Sequence, residues 1–208
     1  DNVGDVAGMG ADLFGSYVST ILATMVLGLT VTDMNKNFSG INPAVLLPIF
    51  IAGIGLVFSI VGSFFVRIPD DKGSPQRALN IGNFGAVALT ALAAYFLIQY
   101  AFDPTITIKG TVYDSVNIFY SIIIGLAVGI AISLVIEYYT GKEYGPVKYI
   151  ARQSLTGGAT NIISGLSIGM ISTAIPVIIL VAGIVSSYSI AGLYGVAIAA
   201  TGMMATTA

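Results

Sequence analysis

Pro43-Ala44-Val45-Leu46-Leu47-Pro48-Ile49-Phe50-Ile51-Ala52-Gly53-Ile54-Gly55-Leu56-Val57-Phe58-Ser59-Ile60-Val61-Gly62-Ser63-Phe64-Phe65-Val66 carries no charged residue and no amide side chain. A helix on the surface of a water-soluble protein keeps a polar face. This run has none, and it exceeds the roughly 20 helical residues needed to cross a hydrocarbon core. Pro43 suits a first helical turn, where its missing N–H costs nothing, whereas Pro48 inside the run predicts a kink. Comparable apolar runs cover residues 6–31, 76–102, 114–139, 160–185 and 190–208, the fifth with its own internal proline, Pro176. The reading is an all-α, polytopic transmembrane helical bundle of about six helices, with residues 1–208 as one transmembrane region.

Composition agrees. Of the residues 56% are hydrophobic and 9% charged, where a soluble domain carries roughly 25% charged. The chain opens on Asp1 and its last apolar run stops short of a polar flank, so a piece of a longer protein is expected. No basic segment precedes the first run as a signal peptide would require. Cys and His are absent, which excludes thiolate or imidazole zinc sites, disulfides and Ser-His or Cys-His dyads within these residues. No internal repeat stands out, and no nucleic-acid partner is expected.

The basic residues are unevenly shared between the loops. Arg67, Lys72 and Arg77 follow the second run and Lys142, Lys148 and Arg152 the fourth, against Lys36 and Lys109 in the alternate loops. The positive-inside bias predicts a multi-pass protein of the cell (inner) membrane with the Asp1 end cytoplasmic and Asp33 outside. Glycines recur as small-xxx-small pairs, Gly125/Gly129 and Gly165/Gly169, the spacing that lets helix backbones approach closely in lipid.

Asp1, Asp5 and Asp12 are the unusual residues. At 100° per residue, positions 5 and 12 fall about 40° and about 20° from position 1, with Asp12 roughly 16 Å below Asp1. An Asp inside a membrane helix is costly enough that it faces a cavity, an ion pathway or a paired cation. Asp1 and Asp5, one turn apart, read either as charges favoured at a helix N-terminus or as paired hard oxygen donors for Mg²⁺. Asp12 reads as part of an ion path or as a carboxylate matched by a Lys.

The run Asp1-Asn2-Val3-Gly4-Asp5-Val6-Ala7-Gly8-Met9-Gly10-Ala11-Asp12-Leu13-Phe14-Gly15-Ser16-Tyr17 resembles the signature of the membrane-integral, ion-pumping inorganic pyrophosphatases. Glu137-Tyr138-Tyr139-Thr140, Thr156-Gly157-Gly158-Ala159-Thr160-Asn161 and Tyr194-Gly195-Val196-Ala197-Ile198-Ala199-Ala200 match in the family's order. The resemblance implies a parent of roughly sixteen helices, of which these residues cover about the sixth to the start of the eleventh. It implies hydrolysis of pyrophosphate at the cytoplasmic face coupled to outward movement of H⁺ or Na⁺, with Mg²⁺ as cofactor, K⁺ as a candidate activator, and a homodimer. By that analogy Asp1 and Asp5 hold Mg²⁺ and position the attacking water, and Asp12 lies in the coupling funnel below.

The same resemblance carries a departure. Many family members place a gating Glu three or seven residues after the equivalent of Asp12, and here those positions are Gly15 and Ser19. A carboxylate from another helix is the alternative, and the expectation leans toward H⁺. The family's dimer interface includes the helix equivalent to residues 160–185, which gives Gly165 and Gly169 a candidate role. Glu137, the basic residues, the tyrosines near helix ends and Asn80, Asn83, Asn117 and Asn161 read as interfacial, topological or interhelical groups. The competing reading of the whole is a cation-binding secondary transporter or channel segment without hydrolysis.

Overall fold

The computed structural model describes residues 2–32, 42–64, 66, 75–108 and 110–206. Asp1, Asp33, Lys36, Arg67, Lys72 and Lys109 lie outside the described residues, as does the side chain of Arg77. In order the elements are α1 (Asn2–Gly28), β1 (Val31–Thr32), α2 (Pro43–Ser63), α3 (Pro75–Ala101), β2 (Thr105–Ile108), β3 (Thr111–Asp114), α4 (Ser115–Thr140), α5 (Gly145–Gln153), α6 (Gly158–Ser172) and α7 (Ala174–Ala205). They divide into two compact units, residues 1–126 with 186–208, and residues 127–185.

In the first unit, Asn42 joins α1 to α2. Its side-chain oxygen accepts from Ala44 N at 2.8 Å as the N-cap, ahead of Pro43 in the first turn. Its amide nitrogen donates to Gly28 O and Val31 O, both at 3.2 Å. One side chain thus satisfies an orphan donor of the new helix, the last carbonyl of the old one at Gly28 and that of Val31 in β1.

Helix α2 runs unbroken through Pro48. Proline has no N–H to give the carbonyl four residues earlier, Ala44. That carbonyl accepts instead from the Tyr194 hydroxyl at 2.8 Å, and Tyr194 is fully buried. A hydrogen bond from α7 thus takes the place of the one that Pro48 cannot give.

Helix α4 approaches the end of α7 closely. A Cβ on Gly125 would collide with the backbone of Ala199, so only glycine permits that spacing. A small antiparallel sheet, in the order β1-β2-β3, adds to this unit, with Ile108 opposite Val31 and Ile106 opposite Tyr113. Val31, Ile106 and Ile108 are its buried residues. The alternation Thr105-Ile106-Thr107-Ile108, followed by Gly110 at φ +85° and Thr111-Val112-Tyr113, is a hairpin pattern. It lies in what the apolar runs left as a loop.

Helix α7 is interrupted at Ala191 and Gly192, the latter at φ 59° and ψ −153°, a conformation that L side chains rarely adopt. A Cβ on Gly195 would stand 2.7 Å from the carbonyl oxygen of Ser187. Eight residues along a straight helix are about 12 Å apart, so the chain folds back sharply here.

In the second unit, α4 ends among Tyr138, Tyr139 and Tyr144, with ring centroids 5.2 Å and 5.5 Å from Tyr138. Short α5 carries Lys148 and Arg152. Gly157, at φ 136°, opens α6. Helix α6 stops at Ser172, and α7 starts at Ala174 with Pro176 in its first turn, as a residue lacking an N–H dictates.

Among the described residues five helical stretches are long and apolar enough to span a membrane: Val3–Gly28, Pro43–Ser63, Ala78–Ala101, Ser115–Gln153 and Gly158–Ala205. The molecule is a transmembrane helical bundle. The last stretch holds both the fifth and the sixth apolar runs of the sequence, which the structure separates at Gly192 rather than by a polar loop.

Candidate functional site

Helix α1 is continuous from Asn2 to Gly28, so helical geometry holds between its acidic residues. Asp5, Asp12 and Ser19 recur every seven positions and drift by only about 20° per step, forming one row with a rise of roughly 10 Å between neighbours. All three are exposed. Gly4, Gly8 and Gly15 flank the row, and a Cβ on any of them would meet nothing within 4 Å. The structure therefore brings Asp5, Asp12, Gly15 and Ser19 onto one open face of small residues. Asp1 lies outside the described residues.

From Tyr17 onward the opposite side of the same helix is packed. Tyr17 OH donates to Ala52 O at 2.8 Å, and Thr20 Oγ1 reaches Met204 Sδ at 3.2 Å. Thr24 Oγ1 lies 2.9 Å from Thr201 Oγ1, and both threonines are buried. Gly28 meets the backbone of Ala44. These positions lie roughly 80–160° around the helix from Asp12. From Tyr17 onward α1 thus attaches by one face and leaves the Ser19 side open, while residues 3–16, with Asp5 and Asp12, are exposed all round the helix.

Asp5 supplies a hard oxygen donor of the type Mg²⁺ prefers. Asp12 is about 10 Å further along, too far to share an ion with it. Among the described residues no group of three or more Asp, Glu, His or Cys could hold a metal. The donor chemistry fits Mg²⁺ and would supply part of a coordination shell.

Other polar residues take local partners. Tyr144 OH donates to Glu137 Oε1 at 3.3 Å. In the second unit Thr156 and Thr160 share a hydrogen bond of 2.7 Å, and the buried Oδ1 of Asn161 has no partner among the described residues. Sequence reasoning missed the threonine bridge between α1 and α7, as well as Tyr194. The legible signal for the bridge was a hydroxyl at position 24 of an apolar run, four residues after Thr20, on the side away from the aspartates.

The family model for inorganic H⁺ pyrophosphatase matches residues 1–208. The chain belongs to this family. Similar curated relatives are a putative K(+)-stimulated pyrophosphate-energized sodium pump of Clostridium tetani, 40% identical over 100% of this chain and 30% of the relative. A K(+)-insensitive pyrophosphate-energized proton pump of Methanosarcina mazei is 41% identical over 99% of this chain and 30% of its own. A K(+)-insensitive pyrophosphate-energized proton pump of Caldanaerobacter subterraneus subsp. tengcongensis is 38% identical over 100% and 30%. The chain therefore spans 30% of the length of these H⁺ pyrophosphatase relatives. Relatives with sodium and with proton in their names match it almost equally, so overall similarity does not separate the two ions.

Proposed function

We propose that residues 1–208 are part of a Mg²⁺-dependent pyrophosphatase of the membrane that couples pyrophosphate hydrolysis at the cytoplasmic face to outward movement of H⁺ or Na⁺. The observation that carries this reading is the open face of α1, a file of carboxylates on one unbroken helix in a chain of the H⁺ pyrophosphatase family. Asp1 and Asp5 hold metal and orient the attacking water, and Asp12 belongs to the ion path beneath them.

Magnesium held there by Asp1 and Asp5 would neutralise phosphate charge and favour in-line attack by water. Asp5 contributes an anionic oxygen at the mouth of the helix, with the glycines around it leaving room for substrate. Asp12, deeper along the same row, offers a site where a proton or cation is exchanged. Gly15 and Ser19 cannot carry the gating charge, and the gate therefore takes its carboxylate from another helix. This arrangement favours H⁺. K⁺ is a candidate activator, in keeping with relatives named for K⁺ stimulation or insensitivity.

Orientation follows from the basic loops, with the Asp1 end cytoplasmic. A homodimer is supported by the open positions Gly165 and Gly169 on α6, where a Cβ would meet nothing within 4 Å. These residues alone are expected to release no phosphate, because two carboxylates do not cage several metal ions and a tetra-anionic substrate.

The test is Mg²⁺-dependent phosphate release from pyrophosphate by membranes holding the full-length protein, with and without Asp5→Ala. Release that the substitution abolishes supports the reading. A well-expressed parent that hydrolyses no pyrophosphate under any Mg²⁺ and K⁺ condition overturns it in favour of a cation transporter.

A further inference from the structure

Among the contacts on the packed face of α1, Thr24 makes the densest. It is 1% exposed, and its Oγ1 lies 2.8 Å from Thr20 O, 3.0 Å from Ala197 O and 2.9 Å from Thr201 Oγ1. Thr201, 2% exposed, lies 3.2 Å from Ala197 O. Each hydroxyl has one proton to give. If both donated to a carbonyl of their own helix, two oxygens would face each other at 2.9 Å with lone pairs only. The stable arrangement puts at least one proton between the helices, from Thr24 to Thr201 or Ala197, or from Thr201 to Thr24.

Such a bond is sensitive to rotation. The Thr24 hydroxyl lies roughly 4 Å from the helix axis, so turning α1 by about 20° moves it about 1.4 Å, which across a bond of 2.9 Å lengthens it to about 3.2 Å, past the usual O–H···O range, and turns it out of line. Helix α1 is continuous between Asp12 and Thr24, and the rotation at one is carried to the other.

We propose that Thr24 is a positioning residue, whose hydroxyl bridge to Thr201 and Ala197 sets the rotation of α1 about its own axis and so the direction in which the Asp5–Asp12–Ser19 row faces. The functional consequence rests on the reading of that row as metal site and ion path. Losing the bridge misaims Asp12 more than it disturbs the metal end, where Asp1 and Asp5 also meet substrate. Coupling falls before hydrolysis does.

The test uses the full-length protein in a cysteine-free background carrying Ser16→Cys or Leu22→Cys. Both native residues are exposed, and they lie about 40° to one side and about 80° to the other side of Asp12 around the helix. With Thr24→Val, rotation shifts the methanethiosulfonate reaction rates of the two cysteines in opposite directions by about threefold, and ions moved per pyrophosphate fall about threefold with hydrolysis kept within about twofold. Thr24→Ser, which keeps the hydroxyl, leaves both readouts at the wild-type level. Unchanged rates in the valine variant, or rates that rise together at both cysteines, overturn the proposal. Should Thr24→Val fail to assemble, Thr24→Ala removes the same hydroxyl with a smaller side chain and is judged by the same criteria. A parent without pyrophosphatase activity sinks the functional reading alone, since the labelling rates still decide whether Thr24 sets the rotation.

Discussion

The two faces of α1 share one backbone and one stretch of sequence, yet they are built for different ends. Tyr17, Thr20, Thr24 and Gly28 reach neighbours in α2 and α7. Gly4, Asp5, Gly8, Asp12, Gly15 and Ser19 reach none that would obstruct even an added methyl at the glycines. The difference teaches that attachment and chemistry are separated along the helix, residues 3–16 being exposed all round, and by rotation around it from Tyr17 onward. A carboxylate must stay in contact with water or ions to remain ionised, and the opposite side can then be closed by hydroxyl and glycine contacts.

The largest effect expected is on the open face. Asp5→Ala in the full-length protein should lower Mg²⁺-dependent phosphate release by about a hundredfold or more and leave the thermal unfolding midpoint in detergent within error. A stability loss matching the activity loss would erase the distinction between the faces. Next comes close packing in the first unit. Gly125→Leu, which drives a side chain into the Ala199 backbone, should cost about 3 kcal/mol or more, read as a lowered unfolding midpoint and reduced assembly in membranes.

Tyr194→Phe is expected to be milder. It leaves the Ala44 carbonyl without the donor that Pro48 also denies it, a loss of about 1–3 kcal/mol, and should be visible as a shift in midpoint with the metal dependence of activity intact. The smallest effect belongs again to the open face. Gly8→Ala removes backbone freedom at a helical position without a clash in these residues and should raise stability by about 0.5–1 kcal/mol. A marked loss of activity in that variant would show that the glycine is needed as room for a ligand, sharpening the contrast between the faces.

Much of this was legible in the amino-acid order. A charge-free run such as Pro43–Val66 allows a spanning helix because lipid leaves no other way to satisfy its backbone. The heptad spacing of Asp5, Asp12 and Ser19 predicts one face wherever the helix is unbroken. The hairpin at residues 105–114 was written in its alternation and passed unnoticed among longer apolar signals. At Pro48 the order of residues shows a carbonyl denied its helical donor, and the hydroxyl that meets it lies far along the chain, at Tyr194.

By itself, then, the order of residues determined which segments are apolar enough to enter a membrane, which residues bring charge into them, and which side of α1 those charges share. These are local properties, set by side-chain chemistry and by the period of a helix. Only the tertiary structure decided where α7 turns back, which donor meets the carbonyl that Pro48 leaves unpaired, and how Thr24 and Thr201 come within 2.9 Å of each other. Each depends on two segments distant in sequence approaching to hydrogen-bonding range, and no periodicity within either segment encodes that approach.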